Sequence, residues 1–384
     1  MTLLSDHPVQ AKRPSQRVRP MRVLFALPGL HRVARGAEVA FEEIATRMAT
    51  VDGIDVTLIG SGQLRPDAPY RFLHANCSAR ETFLRWPKFP GLRDHYMYEE
   101  LTFAPRLWKA LRHESFDITV TCGYPYTNWL LRRQHRRDRS KHVFVTQNGD
   151  WMVQSSDWEY RYFDCDGLIC TNPTYFERSK FRYHSALIPN GVDMDRFRPG
   201  RGHPERFGLR SDRPVVLMVS ALIACKRVLE GIEAASRLPG VQLLVVGHGE
   251  LGDEVQRFGQ AKLGDRFRLV ALSPSQMPEA YRAATAFLHM SVDEPFGNVY
   301  LEALATGLPI VCHDQPSTRW MLMNQATFVD TTVLDHVASA LAPLLLSQST
   351  CSIESRLGLI DRCYRWELIA EQYAQFFREL IQDN

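Results

Sequence analysis

Two glutamates stand eight positions apart in SVDEPFGNVYLEALATGLPIV (291–311): Glu294 just before a turn containing Pro295 and Gly297, and Glu302 beyond it. The apolar run ending near Ser291 reads as a strand, and NVYLEALATGLP as a helix opening at Asn298. Backbone N–H groups at Phe296, Gly297 and Asn298 then stand unpaired at a helix N-terminus, a place that favours an anion such as phosphate. Eight residues at about 1.5 Å rise separate the carboxylates by on the order of 12 Å or less. That span suits gripping hydroxyls at the two ends of a sugar nucleotide, with its diphosphate between them. A solvated glutamate pair on a surface helix is the ordinary alternative. It is disfavoured because Glu302 is the only charged group of its helix, a glycine opens that helix, and the helix leaves the carboxyl end of a strand.

Those groups need a frame. MRVLFALPGL (21–30), IDVTLIG (54–60), FDITVTCG (116–123), HVFVTQNGD (142–150) and DGLICTN (166–172) are short apolar runs closed by turn residues, hence strands. Val39, Ala40, Ile44, Ala45 and Met48 recur at helical spacing after Gly36. The second half restarts the pattern with RPVVLMVSAL (213–222), a helix over 228–238, VQLLVVGHG (241–249), FRLVAL (267–272), AFLHMS (286–291) and LPIVCHD (308–314). Strands alternating with helices predict two mostly parallel sheets, an α/β fold of two Rossmann-like domains. The Pro-, Gly- and charge-rich 186–208 reads as the linker, with the boundary near 200. Ligands bind at the carboxyl ends of strands in such sheets, so two of them enclose a cleft.

With 384 residues, 45% hydrophobic and 23% charged, the chain fits two ordinary soluble domains and not wholesale disorder. No run of about 18 uncharged apolar residues occurs, which excludes a conventional spanning helix. The basic, Pro-containing residues 1–20 lack the apolar block of a secretory signal and read as a disordered leader on a cytoplasmic protein. The eight cysteines form no CxxC and no paired spacing, so they are expected reduced, without disulfides or structural zinc. Residues 1–190 hold 27 Lys and Arg against 20 Asp and Glu, while the rest is acidic, so the halves should meet different partners.

EPFGNVYLEALATGLPIV resembles the E-x7-E signature of family-4 retaining glycosyltransferases of the GT-B fold. DGLICTNPTYFERSKFRYHSALIPNGVDMDRFRP (166–199) is similar to that family's segment entering its interdomain connection, and VQLLVVGHGEL (241–251) to its second-domain strand and glycine turn. The resemblance covers nearly all of 21–380. It implies an acceptor domain over 21–200, a nucleotide-sugar domain over 201–362 and a final helix, 363–384, packing back on the first domain. It implies that Glu294 contacts the transferred sugar and Glu302 the ribose, and that Lys226 neutralises the leaving diphosphate. Phe296, Gly297, Asn298 and Val299 would hold the phosphates from the helix end. Gly36, in RGAE, would let backbone approach the donor, and loops near Gly247 and Leu272 would meet the nucleobase. The implied activity is retaining transfer of a sugar from a nucleotide-diphosphate sugar to an acceptor hydroxyl, with UDP-sugar favoured and GDP-mannose the alternative.

The sequence also departs from the family. Ala221 stands where an arginine is usual and Arg227 where a glycine is, so Arg227 is expected to supply the missing donor-side charge. Gln147 replaces a histidine that reaches sugar and acceptor. Gln147, Asn148 and Asp150 are therefore acceptor-side candidates, with Asp150 the nearest carboxylate that could act as a base. Asp164-Cys165-Asp166 and Asp193-Met194-Asp195 mimic a metal motif but lie away from the expected phosphates, so no metal and no cofactor are expected. No G-x-G-x-x-G follows a strand, which argues against a dinucleotide enzyme. Basic and aromatic residues interleave over 84–112, and 132–142 is strongly basic. A solvated face is the ordinary reading of both. An anionic membrane surface is the partner worth testing, and no nucleic-acid motif accompanies them. Two other functions stay open: a nucleotide-sugar epimerase on the same fold, and a non-catalytic glycan- or membrane-binding relative.

Overall fold

The computed structural model describes residues 19–138, 140–155, 157–346 and 350–382. Most of the expected leader, residues 1–18, lies outside them, as do the side chains of 134–139 in the basic run. Seven strands form the first sheet: β1 Met21–Ala26, β2 Ile54–Gly60, β3 Arg71–His74, β4 Ile118–Thr121, β5 Lys141–Val145, β6 Gly167–Cys170 and β7 Ser185–Leu187. Six form the second: β8 Val215–Val219, β9 Gln242–Val246, β10 Phe267–Val270, β11 Ala286–Leu288, β12 Ile310–His313 and β13 Ala326–Val329.

The sheet orders are β3-β2-β1-β4-β5-β6-β7 and β10-β9-β8-β11-β12-β13, and the pairings within both sheets are parallel. Central strands such as β1 and β8 are flanked on both faces, which is why they read as continuous apolar runs rather than alternating ones. In each sheet the order reverses beside the first strand of its half, between β1 and β4 and between β8 and β11. The loops leaving these strands therefore open at the topological switch points, where a parallel sheet leaves a crevice.

Five helices position or support the crevice: α1 Gly36–Met48, α2 His95–Leu111, α3 Val228–Ser236, α4 Asn298–Ala305 and α5 Trp366–Gln382. α5 packs along α1, and its Trp366, Ile369, Tyr373, Phe376, Phe377 and Leu380 complete the core beneath β1. The chain reaches that position through a short pairing of Val192 with Arg365, with the Val192 N–H donating to the Tyr364 carbonyl at 2.7 Å. Gly191 makes this crossing close. A Cβ there would lie 2.8 Å from the Trp366 indole.

Candidate active site

The loops at the two switch points face one another and enclose a cavity of about 320 Å³. The first half contributes Leu27 at the end of β1, then Arg35, Gly36, Ala37 and Glu38, together with Arg80, Tyr96, Gln147 and Asn148. The second contributes Val219, Ser220 and Ala221 at the end of β8, then Lys226, His289, Glu294 and the turn Pro295–Val299. Asn190 lines the cavity from the connection between them. Glu294, Lys226, Gly36, Phe296, Gly297, Asn298, Val299, Gln147 and Asn148, chosen from sequence, thus meet around one space.

Two helix ends converge there. α1 begins at Gly36 and α4 at Asn298, and neither N-terminus has a side-chain cap. A Cβ on Gly36 would meet only the Asn298 amide, at 3.8 Å. The unpaired N–H groups and positive dipole ends of two helices therefore face across a gap of side-chain width. Gly297 sits at φ +70°, a left-handed conformation that glycine adopts without strain, and a Cβ there would press on both Tyr300 and Glu294.

Lys226 Nζ lies 2.5 Å from Glu294 Oε2, an ion pair set directly before the α4 N-terminus. Behind it His289 is buried, and burial pulls its imidazole down to about 4 despite Glu294 at 3.5 Å. It is therefore neutral near pH 7, with Nδ1 bonded to the Tyr300 hydroxyl at 3.0 Å. Glu302 lies outside the cavity lining, one helical turn further along α4. Its Oε2 accepts the Tyr281 hydroxyl at 2.6 Å, and burial raises its pKa against the opposing effect of that bond.

Gln147 has its amide in a reciprocal pair with Asn190, at 2.6 and 2.9 Å. Asn190 donates in turn to Asn298 Oδ1 at 2.9 Å, and Asn172 Nδ2 donates to the Pro295 carbonyl at 2.7 Å. These bonds stitch the first half to the start of α4. Asn148 Nδ2 points towards Cys122 Sγ.

Several residues are placed elsewhere than the sequence suggested. Arg227 does not line the cavity: Nε pairs with Glu230 at 3.1 Å and Nη1 donates to the Thr331 carbonyl at 3.3 Å. Its backbone lies at φ +53°, the left-handed conformation that a glycine takes freely, and this turn carries the side chain towards Glu230. Gly247 lies behind the lining, where a Cβ would collide with the Ser220 carbonyl, and partly buried Leu272 packs against the second-half core. Asp150 opens onto a neighbouring pocket shared with Asn148 and Pro295. It is bonded to Gln154 at 2.6 Å and lies 3.5 Å from Arg178, and burial raises its pKa.

Arg80, Tyr96, Glu38, Asn190 and His289 were not singled out from sequence. Arg80 is drawn in by buried Glu99, which also holds Arg32 and Arg35, and its guanidinium lies over the Tyr96 ring at 4.9 Å. Only Asn190 carried a signal, being part of IPNGVD. Of the two Asp-x-Asp sequences, Asp164 pairs with Arg132 at 2.9 Å, and Asp193 faces Arg47 at 3.6 Å and accepts the N–H groups of Asp195 and Arg196. Among the described residues no group of three His, Cys, Asp or Glu is placed to hold a metal ion.

Residues 34–196 match the family described as Glycosyltransferase Family 4, and residues 202–359 match Glycosyl transferases group 1. The D-inositol 3-phosphate glycosyltransferase of Mycobacteroides abscessus is 31% identical over 212 residues, 51% of this chain and 47% of that one, so the match spans about half the relative's length. Sucrose-phosphate synthase from Thermosynechococcus elongatus superposes with a TM-score of 0.75 at 18% identity, over 95% of this chain and all of that one. Alr3699/HepE of Anabaena, solved in complex with UDP-glucose, gives 0.72 at 15% identity, over 94% of this chain and all of that one.

Proposed function

The chain belongs to the family-4, group 1 glycosyltransferases and has their GT-B fold, and from that premise we propose that it moves a sugar from a nucleoside-diphosphate sugar to an acceptor hydroxyl with retention at the anomeric carbon. The observation that carries this reading is the pair of uncapped helix N-termini meeting beside the Lys226 ammonium, a site built for more than one negative charge. The diphosphate lies against these N–H groups and Lys226, the transferred sugar against Glu294, and the ribose extends beyond the lining along α4 towards Glu302. UDP is the favoured nucleotide, supported by the UDP-glucose complex of the Anabaena neighbour, with GDP-mannose the alternative. The acceptor enters from the first half, past Tyr96 and Asn148. Departure of the diphosphate generates the base that takes the acceptor proton, so the protein's work is to stabilise that charge and orient the sugar. Lys226 and the helix ends supply the positive charge that a divalent ion would otherwise bring, and no metal or cofactor is needed.

The test is binding followed by turnover in EDTA. Calorimetry against UDP, GDP and ADP identifies the base. The matching donor is then incubated alone and with candidate acceptors, and the anomeric configuration of the product is read by NMR. Retained transfer in EDTA supports the proposal. Interconversion of the donor without acceptor would make the protein an epimerase, and inability to bind any nucleoside diphosphate would leave a non-catalytic relative.

A membrane surface is proposed as the place of work. Leu84, Trp86 and Phe89 are exposed beside Arg85 and Lys88, and Trp158 and Tyr162 beside Arg133 and Arg161. Gly91, whose carbonyl accepts the Tyr126 hydroxyl at 2.8 Å and whose Cβ position is 3.6 Å from Trp158, joins the two clusters. Aromatic tips among cations fit the anionic headgroups of a cytoplasmic leaflet. No helix among the described residues is long and apolar enough to cross a membrane. Sedimentation with phosphatidylglycerol vesicles at low salt, lost at high salt, is the expected result. Failure to sediment at low salt removes this part of the proposal.

A further inference from the structure

The two walls of the cavity hold their charges in different ways. On the second-half wall Lys226 is matched by Glu294, and His289 is neutral, so apart from helix amides this side brings no net charge to a departing diphosphate. The opposite wall is different. Arg32, Arg35 and Arg80 share a single fully buried carboxylate, Glu99. Glu81, the other partner of Arg35 at 3.1 Å, has a side chain 66% exposed and is screened by water. Glu38, 3.5 Å from Arg35, is buried, and burial raises its carboxyl pKa while the Arg35 guanidinium opposes that rise. Three guanidiniums thus gather around one fully buried carboxylate on the first half, and two of them, Arg35 and Arg80, line the cavity.

Of these, Arg80 is held by Glu99 through Nε and Nη2, with its guanidinium over the Tyr96 ring. Arg35 is the residue immediately before Gly36 and occupies the N-cap of α1, the helix end that faces Asn298. We infer that Arg35 supplies the second cation to the departing diphosphate, reaching it across the cleft from the first half while Lys226 serves from the second. This rests on the reading of the site as a nucleotide-sugar site. Its consequence is that the charge on the leaving group is fully met only when both halves close on it, so the arginine acts as a check against hydrolysis or release before closure.

Ala221 makes the inference testable. It is exposed, lines the same cavity and precedes the Lys226 loop, so an arginine there would place a guanidinium on the second-half wall. The experiment compares wild type, Arg35→Ala, Ala221→Arg and the double variant, by calorimetry with UDP (or whichever diphosphate the wild type binds) and with the free nucleoside, alongside turnover. Removing one charge-assisted contact should weaken diphosphate binding by about 10- to 100-fold and leave nucleoside binding unchanged. Ala221→Arg should tighten diphosphate binding in the wild-type background and recover most of the loss in Arg35→Ala. That rescue excludes misfolding as the cause of the loss. Unchanged diphosphate affinity in Arg35→Ala overturns the inference, as does failure of Ala221→Arg to gain affinity in either background. A rise in acceptor KM alone would assign the arginine to an anionic acceptor and likewise overturn it. A wild type that binds no nucleoside diphosphate would instead remove the functional reading itself.

Discussion

Replacing Glu294 with glutamine should tighten UDP binding and slow sugar transfer, two effects of opposite sign from one atom change. The Lys226 ammonium is 2.5 Å from Glu294 Oε2, and the two side chains are only 20% and 10% exposed. Unit charges about 4 Å apart interact by roughly 4 kcal/mol at an effective dielectric of 20. Residual solvation reduces what such a pair is worth to about 1–3 kcal/mol. Arrival of a diphosphate asks Lys226 to divide itself between two anions. Glutamine keeps the shape and one acceptor oxygen but removes the competing charge, so UDP affinity should rise by about 1–2 kcal/mol, roughly 5- to 30-fold. Transfer should fall by about 100-fold if Glu294 is, as proposed, the carboxylate that faces the sugar while positive charge develops at its anomeric carbon. His289 does not compensate, being neutral at the pH of the assay. Calorimetry with UDP and initial rates over donor concentration separate the two effects. A tenfold loss of UDP affinity in Glu294→Gln would refute the reasoning, since the carboxylate would then be holding the ammonium for the phosphates rather than competing with them.

Lys226→Ala should act in the opposite sense on binding, weakening UDP by about 100-fold, because it removes a cation and leaves Glu294 uncompensated beside the diphosphate. Calorimetry reads it directly. Tyr281→Phe removes the hydroxyl that donates to Glu302 at 2.6 Å and should raise donor KM by about 5- to 10-fold with kcat nearly unchanged. Burial already raises the Glu302 pKa and the phenol opposes that rise, so the variant should lose donor affinity at a higher pH than wild type as the solution is acidified. Glu100 is fully buried, accepting the Thr127 N–H at 2.9 Å, and burial pushes it up to about 7. Its unfolded form gives up its proton first, so this group's contribution favours folding at low pH and is lost as pH rises from about 4.5 to about 7. Urea unfolding of Glu100→Gln should therefore show a gain over wild type that grows across that window, to about 3 kcal/mol, and is flat above it.

Much of this protein was legible as sequence because local chemistry decides it. The central strands β1, β8 and β9 are covered on both faces, so each is a mainly apolar run, and β4, with threonine at every second position, is as fully buried. The openings of α1 at Gly36 and α4 at Asn298 follow from glycine and the break in the strand pattern. Strands β3, β7 and β13 escaped because they sit at sheet edges, are three or four residues long and are only partly buried, which leaves no apolar run to see. The site divides along the same line. Residue type alone fixes that Glu294, Lys226 and Glu302 can carry charge. Where those charges point is a matter of backbone conformation and of partners distant in the chain. A left-handed turn swings Arg227 away to Glu230, and Asn190 occupies Gln147 from 43 residues further on. Glu99, 64 residues from Arg35 and 19 from Arg80, gathers both arginines on the wall facing Lys226. Electrostatic balance is summed over groups brought together in space, and spacing along the chain does not encode that sum.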